Sequence, residues 1–159
     1  MAEPDVELLR DALHRVNSVW EGTREIDCRI AYALGMDWCN AAWAYSGTKS
    51  WRDHVEKFGY EQAWHNDHVY GREDGVPHFT TSIDAAYSLN NMTKPFLDTI
   101  SLDCDPSGFG AKVGSWNLSE NKLYHYAKSS CGSLALALVS ATLKSYIGYL
   151  TDTGETKDM

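Results

Sequence analysis

The side chains able to do chemistry fall into three groups, and none forms a complete site. The best metal candidate is His65-Asn66-Asp67-His68, with His54 shortly before it. His65 and His68 are three apart and share a helix face, and imidazoles suit borderline divalent ions. Asp67 points elsewhere on such a helix, no third ligand is fixed by spacing, and H-E-x-x-H is absent. Surface histidines beside tryptophans are the ordinary expectation. Asp103 and Asp105 fall on one face of a strand, with Asp98 near its start. Such carboxylates hold a cation or divide acid and base roles, but they also make the solvated face of a sheet, the expectation preferred here. Cys131 is expected in the first turn of a helix, where a thiol pKa can fall, with His125 or His78 as a base if the fold brings one close. Packing at the helix start is the plainer role. G-x-S-x-G, phosphate-loop and dinucleotide patterns are absent, so no catalytic residue and no cofactor is assigned.

Aromatic residues give a different signal. Four of the six tryptophans (Trp38, Trp43, Trp51, Trp64) lie between Met36 and Pro77. A structureless stretch of that length is rare in a compact domain, so it must be folded or functional. Partner-binding surfaces enrich Trp, Tyr and Arg. Tryptophans that anchor a long excursion to the domain are the plainer reading; the sharper one, compatible with it, is a lid or a binding surface made of Trp43, Trp51, Arg52, Tyr60, Trp64, Tyr70 and Arg72.

Composition limits what these groups can serve. The chain has 159 residues, 43% apolar and 23% charged, which fits one globular domain. Asp plus Glu is 22 against Lys plus Arg 14, a formal net charge of -8 with no basic cluster. Nucleic acid is disfavoured as a ligand, and a small nucleotide less so. The longest charge-free apolar run, Ser129 to Leu143, is shorter than the ~18 residues of a membrane span. The N-terminus is acidic and then helical, without the basic start of a secretory signal, so a cytoplasmic location is expected. Cys28, Cys39, Cys104 and Cys131 show no C-x-x-C spacing and are expected as buried free thiols.

The elements that would position these residues can be read from periodicity. Glu3 to Val19 repeats apolar residues at helical spacing, with Pro4 in its first turn. Thr23 is placed to cap a second helix to Leu34, stopped by Gly35. Trp51 to Ala63 holds a short helix with Trp51, Val55 and Phe58 on one side. Thr81 and Asp84 resemble a capping box for a helix to about Asn91, packed through Ile83, Ala86, Tyr87 and Asn90. Ile100, Leu102 and Cys104, then Phe109, Ala111 and Val113, alternate as a half-buried hairpin. Residues 116–118 and 122–127 supply a third, edge-like strand. The last helix is expected over Cys131 to Ile147, capped by Ser129 or Ser130 and central because Lys144 is its only charge. The architecture is α+β: a small antiparallel sheet of about three strands with three to four helices. It occupies residues 1–150 as one domain, with a long aromatic-rich insertion at 36–76 and a polar tail at 151–159.

Four ordered blocks add a resemblance. PHFTTSIDAAYSLN (77–90) resembles the P-x-Y-[ST]-x-x-[IL]-x-A-A signature of small bacteriophage and prophage proteins with a phage alpha-beta-alpha sandwich domain. IDCRIAYALG (26–35) is similar to their D-x-x-[IV]-A-x-x-[LM]-G segment, GAKVGSW (110–116) to the following strand, and SCGSLALALVSATLKSY (130–146) to the closing helix. Phe79 replaces the usual Tyr, Cys131-Gly132-Ser133 replaces a Thr-Pro start, and 36–76 is longer than the usual spacer. The resemblance implies a viral protein in the host cytoplasm and carries no catalytic residue. The expectation is a non-enzymatic accessory protein binding a host or phage protein, with a homodimer burying part of the aromatic segment. A protein sequestering a signalling nucleotide, through Lys49, Arg52, Lys57 or Arg72 beside aromatic rings, is the alternative in the same class. A small His/Asp hydrolase, with or without metal, is the alternative from a different class.

Overall fold

The computed structural model describes residues 3–37, 50–60, 76–93 and 97–158. Helix α1 (Val6–Ser18) begins where extended Asp5 accepts the Leu8 N–H at 3.1 Å. Pro4 thus precedes the cap rather than entering the first turn. Leu9, Ala12 and Val16 are its buried stripe. Helix α2 (Arg24–Ala33) is capped by Thr23, and Gly35 follows it in the left-handed region. Helix α3 (Trp51–Phe58) is capped by Ser50 and stopped by Gly59, also left-handed. Helix α4 (Ile83–Ser88) continues into a 3-10 turn at Leu89–Asn91. Its cap is Ser82, whose Oγ accepts the Ala85 N–H, so Thr81 and Asp84 do not form the expected capping box. Ala86, Leu89 and Asn90 face inward, whereas Ile83 and Tyr87 are exposed. Asn90 then clasps the backbone of Leu97 in both directions at 2.7 and 2.9 Å, fixing the approach to the sheet.

The sheet has four antiparallel strands in the order β1-β2-β3-β4: β1 (Thr99–Asp105), β2 (Gly108–Asn117), β3 (Lys122–Cys131) and β4 (Glu155–Asp158). Residues 129–131, expected to open the last helix, complete β3 instead. Phe109 pairs with Cys131 and Ala111 with Ser129, so the two-residue alternation continues to the end of the strand. The tail also departs from expectation, because Glu155–Asp158 is a fully exposed edge strand on β3. It has no apolar face, so periodicity could not show it.

Helix α5 (Leu134–Leu150) is capped by Ser133 and crosses β2 and β3. Thirteen of its 17 residues are buried, from Ala135 to Gly148. Helices α1 and α4 flank it, and α2 packs on α1, giving a helical layer over one face of the sheet. The row Ile100, Leu102, Cys104 faces that layer through its pairing with Val113, Ala111 and Phe109. Only Ile100 is half-buried, while Leu102 and Cys104 extend into solvent. Among the described residues no helix is long and apolar enough to cross a membrane.

Candidate functional site

The expected binding surface divides. Trp43, Trp64, Tyr70 and Arg72 lie outside the described residues, as do His65, Asp67, His68 and Cys39. Trp51 is not surface at all: it is 0% exposed. One helical turn puts it and Val55 on the inward side of α3, while Phe58 turns out to solvent. His54 is also buried, at 2% exposure, with its ring 4.7 Å from that of Phe58. Burial is the main force holding its pKa below the ordinary histidine value, with Lys57 adding to it and Asp53 opposing it.

Arg52 and Tyr60 remain half-exposed, and they join residues that sequence spacing did not single out. The Arg52 guanidinium carbon lies 3.9 Å from the centroid of the Tyr32 ring. Its Nη1 donates to the Tyr32 carbonyl at 2.7 Å, and its own N–H donates to Asp37 at 2.9 Å. Tyr32 meets Tyr60 edge-on at 5.7 Å and donates its hydroxyl to Glu56 at 3.0 Å. Arg29 sits 4.5 Å over Tyr60 and bonds Glu25 and Asp11, and Asp11 in turn holds Arg15. The result is a strip, Arg15-Asp11-Arg29-Tyr60-Tyr32-Arg52-Asp37, crossing α1, α2 and α3. Burial raises both tyrosine pKa values, with Glu56 adding to the rise at Tyr32, so both phenols stay protonated donors at neutral pH. Arg29 and Arg52 are each held over a ring, which reduces the entropy they lose on binding a partner. The readable signals were Arg29 and Tyr32 at i,i+3 and Arg52 and Glu56 at i,i+4, each pair on one helix face.

Beneath the strip, α2 is latched to the segment before α4. Asp27, 0% exposed, accepts from the Thr80 N–H at 2.8 Å, the Thr80 hydroxyl at 2.7 Å and Arg24 at 2.8 Å. Arg24 also donates to the carbonyls of Val76 and Pro77. Burial raises the Asp27 pKa against these contacts. The chain at Gly22 passes so close that a Cβ there would lie 2.2 Å from the Thr80 carbonyl oxygen. This latch is fully satisfied and structural.

The remaining candidates stand apart from one another. Cys131 ends β3 instead of opening a helix, and burial raises its thiol pKa, the reverse of an activated thiol. Its Sγ contacts Asn17, and His125 is six residues back along the strand, about 20 Å of extended chain. Of the other thiols, Cys28 is buried and Cys104 exposed, because β1 outruns its helical cover. Asp105 is occupied by the Ser107 amide and hydroxyl, which lower its pKa, and Asp98 by the Trp116 N–H. Among the described residues no three His, Cys, Asp or Glu side chains group as a metal ion requires.

Fold and strip together define a small α+β domain with an arginine–tyrosine cluster on its helical side. No family model, curated protein or solved structure matches the chain.

Proposed function

We propose that the protein is a non-enzymatic phage accessory protein that binds a host or viral protein through the arginine–tyrosine strip. The observation that carries this reading is Arg52 on Tyr32 and Arg29 on Tyr60, two pre-positioned pairs of the residue types that dominate binding energy. Asp37 and Tyr60 directly precede residues 38–49 and 61–75 in the sequence, the segments that carry Trp43, Trp64, Tyr70 and Arg72. The net charge of -8 favours a protein partner with basic or neutral contact residues over a polyanion. The strip also favours a second reading, capture of a signalling nucleotide, because it offers guanidinium groups beside aromatic rings.

The test is capture from infected-cell lysate with the full chain as bait, analysed for proteins and nucleotides. Arg52→Ala and Tyr60→Ala, with folding checked by circular dichroism, are expected to weaken capture by about 30-fold, a hot-spot loss of ~2 kcal/mol. Leu118→Ser, at an 81% exposed site on the β2–β3 turn, is the control expected to bind normally. Undiminished capture by both strip variants would remove the strip as the surface. A nucleotide as the only ligand lost would transfer the site to the second reading.

A further inference from the structure

A second site lies where the sheet edge is left unfinished. β4 pairs with β3 only as far as Tyr126, so residues 127–131 of β3 extend beyond it. Beside that edge a cavity of about 520 Å³ opens between α1, α5, β3 and the turn into β4. Arg10 and Lys144 line it against one carboxylate, Glu155, in a chain whose formal net charge is -8, while Lys128 borders it from a strand position opposite Lys112, on the exposed face of the sheet. Lys144 is the only charge on α5, where apolar packing has no use for it. Its Nζ donates to the Lys128 carbonyl oxygen at 3.0 Å, which holds the ammonium at the β3 edge beside the cavity. Arg10 is bonded to exposed Glu7 at 2.9 Å, a contact that a ligand can exchange for its own.

His125 forms part of the wall and is held at a cost. It has no partner in either ladder, because the register shifts across it, and its backbone is left-handed at φ 54. Its ring lies edge-on to Tyr149 at 5.5 Å, and Ser145 donates to its carbonyl at 2.7 Å. Its buried Nδ1 has no hydrogen-bond partner. The chain crosses above it at Gly154, where a Cβ would lie 2.6 Å from Nδ1. A bulge, a strained residue and an unsatisfied buried nitrogen on one cavity wall are features that fold stability alone does not favour, and they recur at binding sites.

We propose that this cavity binds a small organic phosphate, a phosphomonoester. The Lys144 ammonium and the Arg10 guanidinium, once it exchanges Glu7 for the ligand, bind phosphoryl oxygens by charge-assisted hydrogen bonds. Leu13 and Ile147 give the organic body an apolar wall, and the volume lies within the range of small-molecule sites. The acidic remainder of the molecule repels anything larger and more highly charged. The site shares no residue with the arginine–tyrosine strip, so either can fail without the other.

Phenyl phosphate, inorganic phosphate and uncharged phenol would be titrated into the isotope-labelled full chain at fixed ionic strength. The readouts are the His125 ring and the Lys144 side-chain resonances. Phenyl phosphate is expected to give saturable shifts at both and to bind more tightly than inorganic phosphate, with phenol silent. Lys144→Gln, at an exposed position that should keep the fold, is expected to weaken binding about tenfold. Gly154→Ala, which presses on the His125 ring, should weaken it as well. Absence of saturable His125 shifts up to about ten times a millimolar Kd, equal affinity for both phosphates, or unchanged binding by Lys144→Gln would overturn the proposal.

Discussion

The sheet side and the strip side of this domain share one apolar core but differ in the contacts added to it. Under α5, Ala111, Val113, Ala127, Leu136, Leu138 and Leu143 are buried by apolar contact. Around α2 and α3 the same core continues through Ile30, Trp51 and Val55, and directed polar contacts are laid over it: a carboxylate latching two segments, arginines on rings, a tyrosine on a glutamate. The first kind of contact tolerates small shifts in position and depends on volume. The second depends on geometry and leaves costly groups behind when one partner goes. A surface for recognition is better made from the second, because half-exposed polar and aromatic groups can exchange partners.

The largest expected effect is at Asp27. Asp27→Ala leaves the buried Thr80 N–H and hydroxyl without the carboxylate they donate to and removes the Arg24–Asp27 ion pair. A loss of about 3–5 kcal/mol in denaturant unfolding is expected. Asp27→Asn keeps an oxygen for Thr80, and burial already favours the neutral carboxyl, so its loss should be clearly smaller. Equal losses would mean that charge, not acceptance from Thr80, holds the latch.

Leu138→Ala probes the opposite side. Leu138 is fully buried on α5, and the truncation is expected to cost about 2–5 kcal/mol with the urea m-value unchanged. At temperatures where the variant stays folded, its partner capture should equal that of the parent chain. Loss of capture there would show that the two sides are coupled and that the division drawn above is too sharp.

How much of each side was legible follows from the same difference. α5 could be read because it is apolar almost all round, and β2 because Ala111 and Val113 alternate with exposed Lys112. The α2 cap at Thr23 was local and could be read directly. The strip joins Arg29 and Tyr32 to Arg52 and Tyr60, whose contacts cross three elements and leave no periodic trace. Trp51 was misread because tryptophan is rich both in cores and at interfaces, although Val55 four residues on was the signal for a core face. Cys131 was misread because a strand-to-helix boundary falls within a run of small residues, 129–133, that suits either element. The β3-edge cavity depends on a bulge at His125, which no local sequence rule announces.

His54 gives the smallest expected effect and the sharpest separation of the two sides. It lies on α3, buried one turn from Trp51, and burial favours its neutral form. In the unfolded chain the ring takes up a proton near pH 6.5, whereas in the folded chain it does so only at lower pH. Between those two values the unfolded state binds more protons, so stability must rise with pH there. The contribution is complete above about pH 6.5 and is lost as pH falls through the folded-state value. Amide exchange across residues 51–58 should therefore quicken from about pH 7.5 to 5.5, after correction for intrinsic rates, while the protection of α5 changes less. His54→Leu should flatten that dependence in α3. An unchanged slope in the variant would assign the acid sensitivity to another group and leave α3 held by contacts that do not titrate.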